Sequence, residues 1–343
     1  LRAVRIALDT QLAVGTATGI GVYERDLARA LAAAGEDVCP LQLPALDPWR
    51  FDRRVLWDQV VLPVLAARSG ARVLHAASGT LPAVRTLPTV VSVFDMAWLR
   101  VQSHTRAYAR AYFGGLMKRL YRGAAAVLTC STFAREEFLE LAGARDDVHT
   151  VFPGVDERFA AIVRRPRARP FALVAGTVER RKNLLRAVEL LAAVPELDLI
   201  AVGPPTPYAD EVRARARALG VGERVELRGY VAQTEIDRLY AEAALALVPS
   251  RYEGFGYALA EAMCAGVPVV AARSSSLIEV AAGAVPLVDP DDADGWVDAV
   301  RTILADRDAA EARGAALRGP TSQRFAWPRA AAACAALYRR VAG

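Results

Sequence analysis

Lysine is nearly absent from this chain: Lys118 and Lys182 are the only two, and arginine carries almost all the positive charge behind a net +5. A moderate positive balance suits anionic ligands or an acidic membrane surface, and nucleic acid is not among the expected partners. Histidine is also scarce, with His75, His104 and His149 the whole supply. A sugar-nucleotide epimerase would need more acid/base histidines than that. The four cysteines (Cys39, Cys130, Cys264, Cys334) are scattered, without a CxxC pair or neighbouring histidines at metal spacing. That argues against a disulfide framework and a zinc site, leaving buried thiols. No apolar run reaches the roughly 18 residues that span a bilayer, and residues 1–3 lead into a strand pattern with no signal-peptide character, so work in the cytoplasm is expected.

What is present is soluble globular composition in 343 residues, too many for one ordinary α/β core, so two domains are expected. The central stretch is 243–272, AALALVPSRYEGFGYALAEAMCAGVPVVAA. An apolar run stops at Pro249-Ser250, a glycine-punctuated loop follows, then ten helix formers, then a second apolar run. That is a βαβ unit, in which ligands bind where the loop beyond a strand's carboxyl end meets the next helix. Glu253 lies in that loop, Gly254, Phe255, Gly256 and Tyr257 follow, and Glu261 comes about one turn into the helix. Glycines let backbone N–H groups approach a ligand, and a helix N-terminus attracts anions. Amides for a phosphate and carboxylates for hydroxyl groups together suit a phosphate ester of a polyol.

Earlier in the chain, a strand at 4–10 precedes a loop with Gly15, Gly19 and Gly21 and a helix at 22–34. The dinucleotide fingerprint GxGxxG fails there, because Gly21 is followed by Val22, Tyr23 and Glu24. Gly19 and Gly21 then read as backbone donors to a phosphate. Strands at 72–76 and 89–95 put His75 and Asp95 near carboxyl ends, where a cleft forms, although a lone histidine is often a structural one. The stretch 105–123 reads first as an amphipathic surface helix, with contact to anionic lipid head groups as the alternative. The basic, proline-containing run 164–170 has neither apolar period and is placed as the inter-domain linker.

The second domain restarts with a strand at 171–177, the charged loop Glu179, Arg180, Arg181, Lys182, and a helix from Asn183. A charge run is usually a solvated face, but this one opens a helix beyond a strand's carboxyl end, where its cations could neutralise a leaving diphosphate. A further strand is expected to run through Tyr230 and Val231. Ser276 and Glu279 have capping-box spacing. The acidic 289–294 reads as a turn leading into a helix, and the last helix, 327–341, looks apolar on nearly all sides, as if packed between two bodies.

With these motifs placed, the chain resembles the retaining glycosyltransferases of the large GT4 family. The sequence 253–261 resembles that family's E-x7-E signature, and 176–183, GTVERRKN, resembles its phosphate-binding loop. Weaker matches are 18–23 (TGIGVY), Ser131 and 153–156 (PGVD). The resemblance implies an α/β GT-B fold, two Rossmann-like doubly wound parallel-sheet domains facing a cleft. An acceptor-binding domain would span 1–160 with a C-terminal helix, 326–343, crossing back to it, and a donor-binding domain would span 170–325. It also implies roles: Glu261 for the ribose, Glu253 for the transferred sugar, Gly254 to Tyr257 amides for sugar and distal phosphate, and Arg181 with Lys182 for the diphosphate. Gly19 and Gly21 would reach the diphosphate from the other domain, and backbone near Tyr230 and Val231 the base. No cofactor and no metal would be needed. By the same resemblance, Glu253, Lys182, Arg181 and Asp95 are the catalytic candidates, and His75 and Asp95 the acceptor-side ones. One position departs: Phe94 stands where many relatives have the histidine of a His-Asp pair.

The expected activity is metal-independent hexosyl transfer from a nucleotide sugar to a glycan or lipid-linked acceptor in cell-surface polysaccharide synthesis. GDP-mannose is the first donor considered and a UDP-hexose the second. The rival is a nucleotide-sugar-binding scaffold without transfer, which Phe94 favours and Lys182, Glu253 and Glu261 oppose. The acceptor surface is expected in loops 11–18, 78–81 and 98–105.

Overall fold

The computed structural model describes residues 4–15, 19–100 and 107–343. His104, residues 1–3, 16–18 and 105–106, and parts of two expected acceptor loops lie outside the described residues. The chain divides into two compact units, Leu1–Gly154 with Phe325–Gly343, and Val155–Arg324. Among the described residues, no helix is long and apolar enough to cross a membrane.

The first unit is a six-stranded parallel sheet in the order β2 (Val38–Leu41), β1 (Ile6–Asp9), β3 (Val73–Ala76), β4 (Thr89–Val93), β5 (Ala126–Thr129), β6 (Val148–Thr150). β1, β3, β4 and β5 are buried along their whole length, as strands covered on both faces must be. Ile6, Leu8, Val73, Val90 and Leu128 form one core with Leu27 and Leu31 of the helix Ile20–Ala33 and with Ala331, Cys334 and Tyr338 of the helix Trp327–Val341. The terminal helix thus returns to the first sheet. Its buried residues form one stripe, while Ala332, Ala333 and Ala336 are exposed, so the all-round apolar reading of this helix came from solvent-facing alanines.

Helix 51–68 contains a π turn, Trp57–Val61, a feature frequent at functional sites. Trp57 and Asp58 are wholly buried. Trp57 Nε1 donates to Asp9 Oδ1 at 3.0 Å, Ser78 Oγ to Asp9 Oδ2 at 2.9 Å, and Thr80 Oγ1 to Asp58 Oδ1 at 2.8 Å. Arg54 pairs with Asp58 at 3.0 Å and bonds both hydroxyls. The cluster ties β1 to the segment after β3, so Ser78, Thr80 and Leu81, expected on an acceptor surface, are buried. In 107–121, Tyr112, Met117 and Tyr121 bury while Arg110 and Arg119 face water, the pattern of an amphipathic surface helix.

The second unit has the order β12 (Leu287–Val288), β11 (Val269–Ala272), β10 (Leu245–Val248), β7 (Phe171–Ala175), β8 (Asp198–Val202), β9 (Val225–Leu227), again all parallel. The run 164–170 belongs to this unit and is no free linker. Arg164 Nη2 bonds Glu311 and the Ala243 carbonyl at 2.6 Å, Arg167 Nε bonds Glu242 at 2.7 Å, and Arg169 Nε bonds Asp198 at 2.6 Å. Arg164, Arg167 and Arg169 each have an acceptor for the side chain, which the missing apolar period could not reveal. β9 ends at Leu227, before Tyr230, because Gly229 turns the chain at φ +67°. Asp292 caps the helix Ala293–Ala305 by accepting from Gly295 N at 2.9 Å, so 289–294 is a turn into a helix.

Glu24 is wholly buried, and its Oε2 accepts from Ala13 N at 3.2 Å. Burial, then the nearby Asp9 carboxylate, pushes its carboxyl well above the ordinary 4.5, against the pull of Arg54. A group raised in the folded state is stabilising below its unfolded value and loses that contribution as pH climbs through the raised one. Glu24→Gln is therefore expected to gain about 1 kcal/mol or more over the parent near pH 8, with the gain vanishing near pH 4.5. Denaturant unfolding at both pH values checks this, and an equal difference at the two would refute it.

Candidate donor site

In the second unit the chain builds outward from β7 through β8 to β9, then crosses back to add β10, β11 and β12 on the other side. β7 and β10 are therefore neighbours at the point where strand order reverses, with Ala172 opposite Leu245. The loops beyond their carboxyl ends are 176–183 and 249–256, at the place where open α/β sheets bind ligands.

Glu253, in the second of these loops, is only 5% exposed. Its Oε1 accepts from Lys182 Nζ, and its Oε2 from Arg181 Nη1 at 3.0 Å. The backbones are joined too, with Arg251 N donating to the Arg181 carbonyl at 2.7 Å and Arg181 Nη1 to the Tyr252 carbonyl at 3.1 Å. Burial works against the Glu253 charge, but the Lys182 ammonium and Arg181 guanidinium outweigh it and hold the carboxyl below its usual value. Arg180–Lys182 is a 3-10 turn, and Asn183 in the left-handed region, φ +53°, leads into the helix Leu184–Ala193.

Gly256 precedes the helix Tyr257–Cys264 at φ +93°, and a Cβ there would lie 2.5 Å from Leu277 Cδ2. Glycine is required on both counts. The Phe255 ring is buried edge-on against Tyr257 at 5.1 Å, so what 254–257 presents to a ligand is chiefly backbone, including the first N–H groups of a helix. Glu261, one turn along, accepts from Tyr240 OH at 3.1 Å. Burial pushes its carboxyl up to about 7, with Tyr240, Arg158 and Lys182 pulling the other way. Lys182 thus acts on both carboxylates.

Tyr230, 60% exposed, and Val231 follow the Gly229 turn beyond β9, on the same edge of the sheet and two strands from β7. The Gly229 carbonyl accepts from Gly203 N at 2.8 Å.

The first-unit candidates have other occupations. Gly19 caps the helix Ile20–Ala33 at φ +50°. Gly21 is buried, and a Cβ would lie 2.1 Å from the Leu12 carbonyl oxygen, so a close backbone crossing accounts for this glycine. His75 is wholly buried, its Nε2 2.8 Å from Ser92 Oγ and its Nδ1 2.7 Å from Tyr338 OH. Burial lowers it to about 3, so the ring is neutral and structural, and it is withdrawn as an acceptor contact. Asp95 is half-buried and accepts from Ala97 N at 3.0 Å, opening the helix Ala97–Arg100. The Phe94 ring packs edge-on to Tyr23 at 4.8 Å, against the core of the sheet.

Ser276 was expected to cap a helix with Glu279. Its φ of −66° and ψ of −15° are helical, no side-chain cap forms, and its hydroxyl donates to the Glu253 carbonyl at 2.9 Å. Sequence reasoning also missed Tyr240 and Arg158. Neither carries a motif, and each reaches Glu261 through packing of separate elements. Among the described residues, no group of three His, Cys, Asp or Glu side chains is arranged to hold a metal ion.

Residues 155–318 match the glycosyl transferases group 1 family, and 17–159 match glycosyltransferase family 4. The chain is 30% identical to a D-inositol 3-phosphate glycosyltransferase of Xylanimonas cellulosilytica, over 96% of this chain and 93% of that one. It is 37% identical to the O-antigen chain mannosyltransferase B of Escherichia coli, over 46% of this chain and 42% of that one. Among solved structures, sucrose-phosphate synthase of Thermosynechococcus elongatus superposes with a TM-score of 0.80 at 23% identity, covering 99% of both chains, a likeness of GT-B fold. With both halves of the chain matched, and a relative aligned along almost all of it, this protein belongs to the GT4-type glycosyltransferases.

Proposed function

We propose that the chain is a retaining, metal-independent hexosyltransferase that draws on a nucleotide sugar, with GDP-mannose as the donor, and serves a glycan or lipid-linked acceptor in surface polysaccharide synthesis. The triad of buried Glu253 with half-buried Lys182 and Arg181, at the strand-order reversal, carries this reading. Likeness to a mannosyltransferase of O-antigen chains supports the choice of sugar and acceptor class. Lys182 and Arg181 take the diphosphate and stabilise the charge that develops as the C1–oxygen bond breaks, which is the work a metal ion does elsewhere. Glu253 holds the sugar, Glu261 the ribose hydroxyls, and the 254–257 amides the distal phosphate. The acceptor oxygen bonds to C1 on the face the phosphate leaves, and its proton passes to that phosphate. Asp95 is kept as the acceptor-side carboxylate. The exposed Tyr108, Arg110, Leu116, Arg119 and Arg122 are the lipid-facing part of 105–123, on the cytoplasmic side of the membrane.

Lys182→Ala and Glu253→Ala are each expected to lower turnover by about a hundredfold or more. Near-normal rates in both would sink the site assignment. Thermal stabilisation by GDP, UDP, ADP and their sugars, with and without Mg²⁺, is expected to single out GDP and GDP-mannose without dependence on the metal. A shift from UDP compounds instead, or one that needs Mg²⁺, would overturn that part.

Glu261 accepts hydroxyl bonds as a carboxylate, and its carboxyl sits at about 7. Donor affinity should therefore weaken as pH falls through about 7, by close to tenfold per pH unit at the limit, and Glu261→Gln should flatten the profile. An unchanged profile in that variant removes Glu261 from the ribose.

A further inference from the structure

Three consecutive serines beyond β11, Ser274, Ser275 and Ser276, hold the loop beyond β10. Ser274 Oγ donates to the Ser250 carbonyl at 2.6 Å, and Ser275 Oγ accepts from Glu253 N at 2.9 Å. Ser276 Oγ donates to the Glu253 carbonyl at 2.9 Å. The two peptide groups flanking the Glu253 Cα are thus fastened from one side, while Lys182 and Arg181 hold its carboxylate from the other.

Two local features show that this contact is built. Ser275 stands at φ +43°, a left-handed conformation that L side chains rarely adopt and that costs about 1–3 kcal/mol unless the surroundings impose it. Ser276 is wholly buried and opens the helix Leu277–Ala281 with helical dihedrals, so its hydroxyl is unavailable to the helix it precedes. Leu277, next along, fills the space over Gly256. One short segment therefore fixes both the Glu253 peptide and the turn that starts the helix Tyr257–Cys264.

We propose that Ser275 and Ser276 are positioning residues for Glu253: they set its carboxylate against the transferred sugar while leaving the nucleotide's contacts intact. This rests on the role given to Glu253 above. A carboxylate that must meet developing charge is sensitive to displacements of about an ångström. The hold on the nucleotide comes instead from Glu261, Arg181 and Lys182.

The test compares Ser276→Ala and Ser275→Gly, the latter removing the hydroxyl while suiting the left-handed backbone. Each is expected to lower kcat by about tenfold or more while nucleoside diphosphate affinity stays within about twofold. Ser276→Thr, which keeps the hydroxyl, should recover most of the loss. In a Glu253→Gln background the serine changes should add almost nothing, because residues acting through one group are not additive. Near-parental kcat in both serine variants would overturn the proposal. So would a kcat loss matched by equal losses of nucleotide affinity and Tm, or full additivity with Glu253→Gln. A near-normal rate in Glu253→Ala alone would instead defeat the underlying reading of the site.

Discussion

A carboxylate taken almost wholly out of water has to be paired, because an unpaired buried charge costs about 3–5 kcal/mol. Glu253 meets that requirement with Lys182 and Arg181, and both come from the loop of the neighbouring strand. The pairing dictates how closely the β7 and β10 loops approach, and the backbone bond from Arg251 to Arg181 follows from it. It also leaves two cations concentrated beyond the carboxyl edge of the sheet, at the one place where the winding order lets a ligand in. The cations that the fold needs to neutralise Glu253 are the same pair that the proposed function assigns to the diphosphate.

A second buried ion cluster plays a different part in the first unit. Arg54, Asp58 and Asp9 are closed in by Trp57, Ser78, Thr80 and Tyr112, and the contacts tie the π-turn helix, β1, the segment after β3 and the neighbouring helix together. Such a network leaves little for a ligand, which is why loop 78–81 drops out as an acceptor surface. His75 is a similar case. Its position near the end of β3 is where a catalytic group could stand, but the ring turns inward onto Ser92 and Tyr338, and Tyr338 lies 263 positions away in sequence. No local pattern could announce that partner.

The fold was readable because its determinants are local: apolar runs of four or five residues, glycine and proline at their ends, and a charged loop before each binding-site helix. The placement of Lys182, Glu253 and Glu261 was readable for the same reason, since all three sit in strand–loop–helix units whose geometry the sequence implies. Failures came where a residue's role depends on something distant. Arg164, Arg167 and Arg169 lie in a stretch with the composition of a linker, and their partners Glu311, Glu242 and Asp198 are all distant in sequence. Ser276 and Glu279 have capping-box spacing, yet Ser276 has helical dihedrals and its hydroxyl donates to the Glu253 carbonyl. Spacing defines which local bonds can form, and a better acceptor across the fold decides which one does.

Glu253 and Glu261 are eight positions apart on one loop and helix, and burial penalises the charge of both. Their environments nevertheless push them in opposite directions. Two cations in direct contact keep Glu253 ionised throughout the neutral range, whereas Glu261 has a phenol as its direct partner and more distant cations, and ends near neutrality. Divergent carboxyl environments within one site usually mark divergent roles. A permanently charged Glu253 suits a centre where positive charge appears during transfer, because it needs no change of protonation. A Glu261 poised near 7 suits a binding contact that it makes as a carboxylate, whose strength then varies with pH. The division follows from where Lys182 points: into Glu253, with Glu261 feeling it only at a distance.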